Sequence, residues 1–238
     1  MSKLRESLIF LFAVLMCLQV SLAVAQGSVG HRGVPIGAER LDVQDRADRV
    51  YERSDYDRAF LIYRNELAQM GDKYGQYMVG YMYLTGKGVE ADSIAASAWY
   101  RLAAERGGSQ YVAVSDGLWL QLDAAQQSQS DEQFVKLRKQ FSDLAIVMKA
   151  IRADRDLLRS RTGSRLGGKS SALQIIDPND TGAVMLEEEY YGKIEDRMME
   201  RLRFVALYIG ADIVVDDPRR FDISGLEKQL GEFLSKLN

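Results

Sequence analysis

Tyr74-Gly75-Gln76-Tyr77-Met78-Val79-Gly80-Tyr81-Met82-Tyr83-Leu84-Thr85-Gly86-Lys87-Gly88-Val89, followed by Asp92-Ser93-Ile94-Ala95-Ala96-Ser97-Ala98-Trp99-Tyr100-Arg101-Leu102-Ala103-Ala104-Glu105-Arg106-Gly107, decides the fold of this 238-residue chain. The second half has an upstream echo in Asp55-Tyr56-Asp57-Arg58-Ala59-Phe60-Leu61-Ile62-Tyr63-Arg64, then Leu67 to Gly71. Ala59 to Ala96 and Tyr63 to Tyr100 are each 37 residues apart, and Gly71 to Gly107 is 36. A period in this range indicates stacked helical hairpins, which bury their apolar faces against neighbouring repeats. The small Ala positions let helices approach closely. The glycines fall where a helix ends and a positive φ is useful.

The run resembles the Sel1-like repeat, a relative of the tetratricopeptide repeat. That pattern has a first helix ending in Leu-Gly-x-x-Tyr, a Gly-x-Gly-Val loop, an Asp, and a second helix with Ala-x-x-Trp-Tyr-x-x-Ala-Ala-x-x-Gly. Here Val79 stands for Leu, followed by Gly80, Tyr83, Gly86, Gly88, Val89, Asp92, Ala96, Trp99, Tyr100, Ala103, Ala104 and Gly107. Gly75 departs from the family's usual Ala. Asp55 to Gly71 looks like the second helix of a preceding unit, with one extra residue between Tyr63 and Gly71. A third, degraded unit begins at Ser109 and runs to Leu122. The resemblance implies an all-α fold: a short Sel1/TPR-like solenoid of helical hairpins with a helical C-terminal extension.

Outside the repeats, the first 25 residues read as an address. Lys3 and Arg5 precede an apolar run from Leu8 to Val20, and Ala23-Val24-Ala25 is a small-x-small cleavage site ahead of Gln26. This is the layout of a signal peptide, with an apolar core too short for a transmembrane helix. Cys17 lacks the small residue before it that a lipid-anchor site needs. Cleavage leaves 213 of the 238 residues, without Lys3, Arg5, Glu6 and the single Cys, and moves the net charge from −3 to −4. The mature chain then has no disulfide and no integral membrane span, and the expected compartment is periplasmic or secreted.

The organisation expected is a signal peptide at 1–25, a flexible segment at 26–47, repeats at 48–122 and a helical extension at 123–238. Ser130-Asp131-Glu132-Gln133 reads as a capping box opening a long helix to about Ser160, with its stripe at Phe134, Leu137, Phe141, Leu144, Met148 and Ile151. A second stripe is Tyr191, Ile194, Met198, Leu202, Val205 and Ile209. A last helix after Asp222 or Ser224 carries Leu226, Leu230, Phe233, Leu234 and Leu237. Ile213-Val214-Val215 fits a short strand or a buried connector. A Gly-rich basic loop spans 162–181.

Composition excludes most chemistry. Near-neutral charge argues against a nucleic-acid binder. His31 is the only His, so zinc and Cys–His catalysis have no ligands or base. Gly163-Ser164-Arg165-Leu166-Gly167-Gly168-Lys169-Ser170 matches the phosphate-loop string, but it follows a charged helix end, Arg152 to Arg159, where a buried strand is required. The same segment, with Arg159, Arg161, Arg165 and Lys169, reads as a solvated basic linker or as a contact for an acidic partner. Glu187-Glu188-Glu189 suits the positive end of a helix dipole. No cofactor and no metal are expected.

Tyr74, Tyr77, Met78 and Tyr81 add aromatic and thioether surface to the first repeat helix beyond the framework positions. First helices line the concave face of such solenoids, and Tyr and Met are good contact residues, so these four are the expected partner-binding positions. Similar Sel1 proteins are envelope scaffolds. The resemblance therefore implies a non-enzymatic exported adaptor that binds a protein partner in the cell envelope. The two alternatives it offers are a component of the sodium-driven polar flagellar motor and an enzyme of the β-lactam-binding type, whose hairpins are closed by disulfides this chain cannot form. Export makes one outcome measurable. N-terminal sequencing of the chain from the envelope fraction should begin at Gln26, and a start at Met1 or Ser2 would refute cleavage at Ala25.

Overall fold

The computed structural model describes residues 39–160, 174–176, 184–210, 218 and 221–235. The signal sequence with Ala25 and Gln26, the segment to residue 38, the phosphate-loop string, Ile213 to Val215 and Leu237 lie outside the described residues. The chain divides into two compact units, one to Ile146 and one from Val147.

In the first unit, α1 (Glu39–Glu52) and α2 (Tyr56–Ile62) form one pair, and α3 (Lys73–Thr85) and α4 (Ser93–Ala103) a second. They are followed by α5 (Ser109–Trp119) and α6 (Ala124–Phe141). Helix α1 corrects the flexible reading of 26–47, because residues 39–47 are already helical. Its turns bring Val43 and Ala47 to the core side, where both are buried.

Caps place the helix ends. The Asp72 carboxylate accepts the Gly75 N–H at 2.7 Å, and Asp92 accepts those of Ile94 and Ala95 at 2.9 Å each. Gly71, Gly86 and Gly107 terminate helical segments in the left-handed region. Gly88 also has a positive φ, and a Cβ there would lie 2.3 Å from the carbonyl oxygen of Tyr56. The Gly86–Val89 loop is thereby laid directly on the start of α2.

The extra residue between Tyr63 and Gly71 is absorbed in one place. α2 continues as a π-helical turn, Tyr63–Leu67, and a short 3₁₀ turn, Ala68–Met70, before Gly71. The wider turn pushes Leu67 toward α3. A Cβ on Gly75 would lie 2.5 Å from the Leu67 Cβ, closer than real carbons approach. The inserted residue and the glycine that replaces the usual Ala are therefore one adjustment.

The third helix pair departs from the repeat. Both α5 and α6 pack on α4. The capping box expected at Ser130 is not there: the cap of α6 lies seven residues earlier, with Asp123 and Gln126 as the reciprocal box and the helix starting at Ala124. Ser130 is a buried mid-helix residue instead. Asp123 stands 31 residues after Asp92, against 37 between Asp55 and Asp92, because the long Gly-x-Gly loop is missing between α5 and α6. The single helix expected from 130 to 160 is two. Ser142 is extended (φ −66°, ψ 155°), and its hydroxyl accepts the Ala145 N–H at 3.2 Å, capping α7 (Asp143–Ser160). The apolar stripe survives this break, with Phe141, Leu144, Met148 and Ile151 all buried.

The second unit holds the rest of α7, a two-stranded antiparallel sheet, α8 (Glu187–Ile209) and α9 (Ile223–Ser235). Strand β1 (Gln174–Ile176), inside the stretch read as a loop, pairs with β2 (Val184–Leu186), matching Ile175 to Met185. The hairpin rests on α8. Ile194, Met198, Leu202 and Val205 are buried as their stripe predicts, as are Leu226 and Leu230 of α9. Buried Asp154 of α7 accepts hydrogen bonds from Arg197 at 2.5 and 3.2 Å and from Arg201. No helix among the described residues is long and apolar enough to cross a membrane.

The coupled adjustment at Leu67 and Gly75 is testable. Gly75→Ala should destabilise the chain by about 2 kcal/mol in urea unfolding, although Ala is the better helix former. Deleting exposed Asn65, which removes the extra residue of the π turn, should shrink that cost. A Gly75→Ala chain as stable as the parent would show that the two positions are independent.

Candidate functional site

The four positions expected to bind a partner do not form a free surface. Tyr77 is 4% exposed, with its ring stacked on Tyr100 (centroids 5.4 Å apart, 26° between planes) and tilted against Tyr111 at 5.8 Å. Met78 is 8% exposed and part of the same core. Both are core residues, which corrects their reading as contacts. No residue of α3 is exposed, because the helix is enclosed by α4 and by the turns that follow α2. Its extra aromatics join neighbouring helices.

Tyr74 and Tyr81 are half-buried and serve the same end. Tyr74 donates to Asp48 of α1 at 3.1 Å and packs edge-on against Tyr63. Tyr81 forms one wall of a cage around Lys87. The Lys87 ammonium lies 5.1, 5.0 and 5.6 Å from the ring centroids of Tyr51, Tyr56 and Tyr81 and donates to the Tyr51 hydroxyl at 2.8 Å. Lys87 thus clamps the first helix pair to the second.

The framework positions are structural. A Cβ on Gly80 would lie 2.7 Å from the Tyr100 ring and 3.2 Å from the Ala96 carbonyl oxygen, so only glycine permits this approach of α3 and α4. Ala96 and Ala103 are fully buried beside them, and Ala104 opens the 3₁₀ turn that Gly107 ends. Tyr83 meets Phe60 edge-on at 5.4 Å, and Trp99 meets Phe141 at 5.0 Å.

Two polar clusters are buried in this unit. In the first, Asp48 accepts from both Tyr63 and Tyr74. Burial raises the Asp48 pKa above its ordinary 3.8; the two phenol donors oppose this, and the Asp45 and Glu52 charges add to it. Burial, followed by their neighbours' charges, pushes the Tyr63 and Tyr74 hydroxyls well above the usual phenol range, so both stay protonated donors.

In the second cluster, Lys73 is 6% exposed. Its ammonium meets Glu105 at 2.9 Å, Asp143 at 3.1 Å, and the Gln76 side chain and Leu102 carbonyl oxygen at 3.2 Å each. Arg106 grips Asp143 with two bonds, 2.7 and 3.0 Å, and reaches the Gly71 carbonyl oxygen at 3.1 Å. Gln76 donates to the Phe141 carbonyl oxygen at 2.9 Å. Four acceptors saturate one ammonium, so Lys73 is a structural cation that ties the start of α7 to α3 and α4.

Sequence reasoning missed a third constellation. The Arg101 guanidinium of α4 lies 4.7 Å from the Trp119 ring centroid and 4.3 Å from that of Phe134. Arg138 lies 5.7 Å from the Phe134 centroid. The side chain of Arg101 is thus wedged between α5 and α6. Phe134 and Arg138 at i, i+4 were the readable half of this stack; the Arg101–Trp119 contact has no local signal.

Among the described residues, no group of three or more His, Cys, Asp or Glu is placed to hold a metal ion. His31 and Cys17 lie outside them. Glu187, Glu188 and Glu189 occupy the first turn of α8.

The raised Asp48 pKa sets a sign. The folded chain holds this proton more tightly than the unfolded one, so the contribution is present below the ordinary 3.8 and lost as pH rises through the raised value. Asp48→Asn keeps an acceptor for both tyrosines and removes the buried charge. Its melting temperature should exceed that of the parent at pH 7, and the gap should close as pH falls below 4. A gap that widens on acidification would reverse the assignment.

A comparison with protein families matches residues 73–108 to the Sel1 repeat. Neither the curated proteins nor the solved structures gave a match. The match covers α3, the Gly-x-Gly loop, α4 and its closing turn, the segment whose close packing centres on Gly80, Trp99 and Tyr100. Residues 73–108 of the chain are therefore a Sel1 repeat.

Proposed function

We propose that this chain is an exported, non-enzymatic adaptor of the cell envelope whose repeat unit binds a protein partner. The observation that carries this reading is the Sel1 repeat at residues 73–108, set within a packed unit of helices. Sel1 repeats form surfaces for protein partners. Stacked helical pairs present side chains on a rigid frame, which lowers the ordering cost of association. The polar and aromatic chemistry inside the unit supports the same view. Asp48, Lys73 and Lys87 are each engaged by side chains of neighbouring helices, as structural groups are. The signal-peptide layout of residues 1–25 supports export. The partner surface is the outside of the unit, since Tyr77 and Met78 belong to its core.

The test is chemical crosslinking of the mature chain in its own envelope fraction, then reconstitution with the purified partner. One protein forming a stoichiometric complex is the expected result. Failure to enrich any protein over a bait-free control would overturn the adaptor reading. Turnover of a chromogenic β-lactam by the purified chain would overturn its non-enzymatic part.

A further inference from the structure

The stack of Arg101, Trp119, Phe134 and Arg138 does more than pack helices. Each of the four side chains is only partly buried, so the column reaches the surface where α4, the end of α5 and α6 meet. Leu120, next to Trp119, is 80% exposed. A guanidinium held against a ring keeps N–H donors available to carboxylates. Asp131 already shows this chemistry, accepting from Arg101 at 2.6 Å from an exposed position. Arg138 has no such carboxylate among the described residues.

We infer that this ledge is the docking surface of the adaptor and that its occupant is an acidic segment of the protein partner with an apolar side chain beside its carboxylates. The inference rests on the adaptor reading and names its surface. Charge complementarity selects the occupant. The column carries two guanidinium groups and one carboxylate, so one cationic edge is left to pair. Trp and Arg in a partly desolvated cluster are the residue types that dominate binding energy at interfaces, and an exposed Leu beside them adds apolar area. A carboxylate of the partner pairs with Arg138 and can displace Asp131 on Arg101, while its apolar neighbour rests on Leu120 and Trp119.

The experiment places a photo-crosslinking benzoylphenylalanine at position 120 of the full chain in its native cells, with the same group at position 61 as a control. Leu61 of α2 is also exposed, and it is remote in sequence from the ledge. The expected result is a crosslink from position 120 to a protein segment rich in Asp or Glu with apolar neighbours, falling about tenfold in an Arg138→Glu background. That reversal breaks no ion pair among the described residues, and an unchanged melting curve would show that the fold survives. Exchanging the partner's carboxylate for Arg should restore the crosslink to the Arg138→Glu chain. Crosslinks from position 61 alone would leave the adaptor reading standing and overturn the ledge. So would a crosslink from position 120 that ignores Arg138→Glu, or one to a basic segment, a lipid or a second copy of this chain. No protein crosslink from either position, together with failure of the chemical crosslinking above, would remove both.

Discussion

The close approach of α3 to α4 at Gly80 governs the repeat unit. The absent side chain lets the ring of Tyr100 lie where a Cβ would stand, with the Ala96 carbonyl just beyond it. Two helices that touch at this range bury each other's flanks, and Ala96, Leu102 and Ala103 become inaccessible as a result. Tyr77 then stacks on Tyr100 and reaches Tyr111 of α5, so one ring joins three helices. A bulkier residue at position 80 would push the helices apart and open every one of these contacts together.

Helix pairs of this kind need something beyond apolar burial to fix their order. Here buried polar groups supply it. Asp48 gathers Tyr63 and Tyr74 from two other elements, and Lys73 gathers groups from α3, α4 and the start of α7. Buried ion pairs roughly break even in stability against apolar replacements, but loss of one partner costs about 3–5 kcal/mol. Their effect is to penalise wrong arrangements more than to reward the right one. Lys87 acts similarly at the surface: its ammonium sits among tyrosines of α1, α2 and α3 only when the first helix pair is in register with the second. The third pair has no Gly-x-Gly loop to repeat this clamp, and Arg101 takes its place as a wedge between rings of α5 and α6.

The helical class, the Sel1 repeat, the helix end at Gly107, and the buried stripe of α8 were all legible in the order of residues alone. Each depends on spacing along one chain: a 37-residue period, a small residue at a crossing point, a glycine at a helix end, an apolar residue every three or four positions. The extra residue before Gly71 and the odd glycine at position 75 were legible too, though as two separate departures. Folding alone joins them, because the clash that links Leu67 to position 75 is between atoms of different helices. The break at Ser142 is invisible in the pattern since the apolar stripe runs through it unaltered, and a Ser-Asp pair is a weak cap signal when a continuous stripe competes with it. Tyr77 and Met78 went to the core for the same kind of reason. Whether a Tyr on a repeat helix faces a partner or a neighbouring helix depends on which helices pack beside it, and no local pattern carries that. The ledge of Arg101, Trp119, Phe134 and Arg138 draws on three helices, so its residues are scattered in the chain and meet only when α5 and α6 both close on α4.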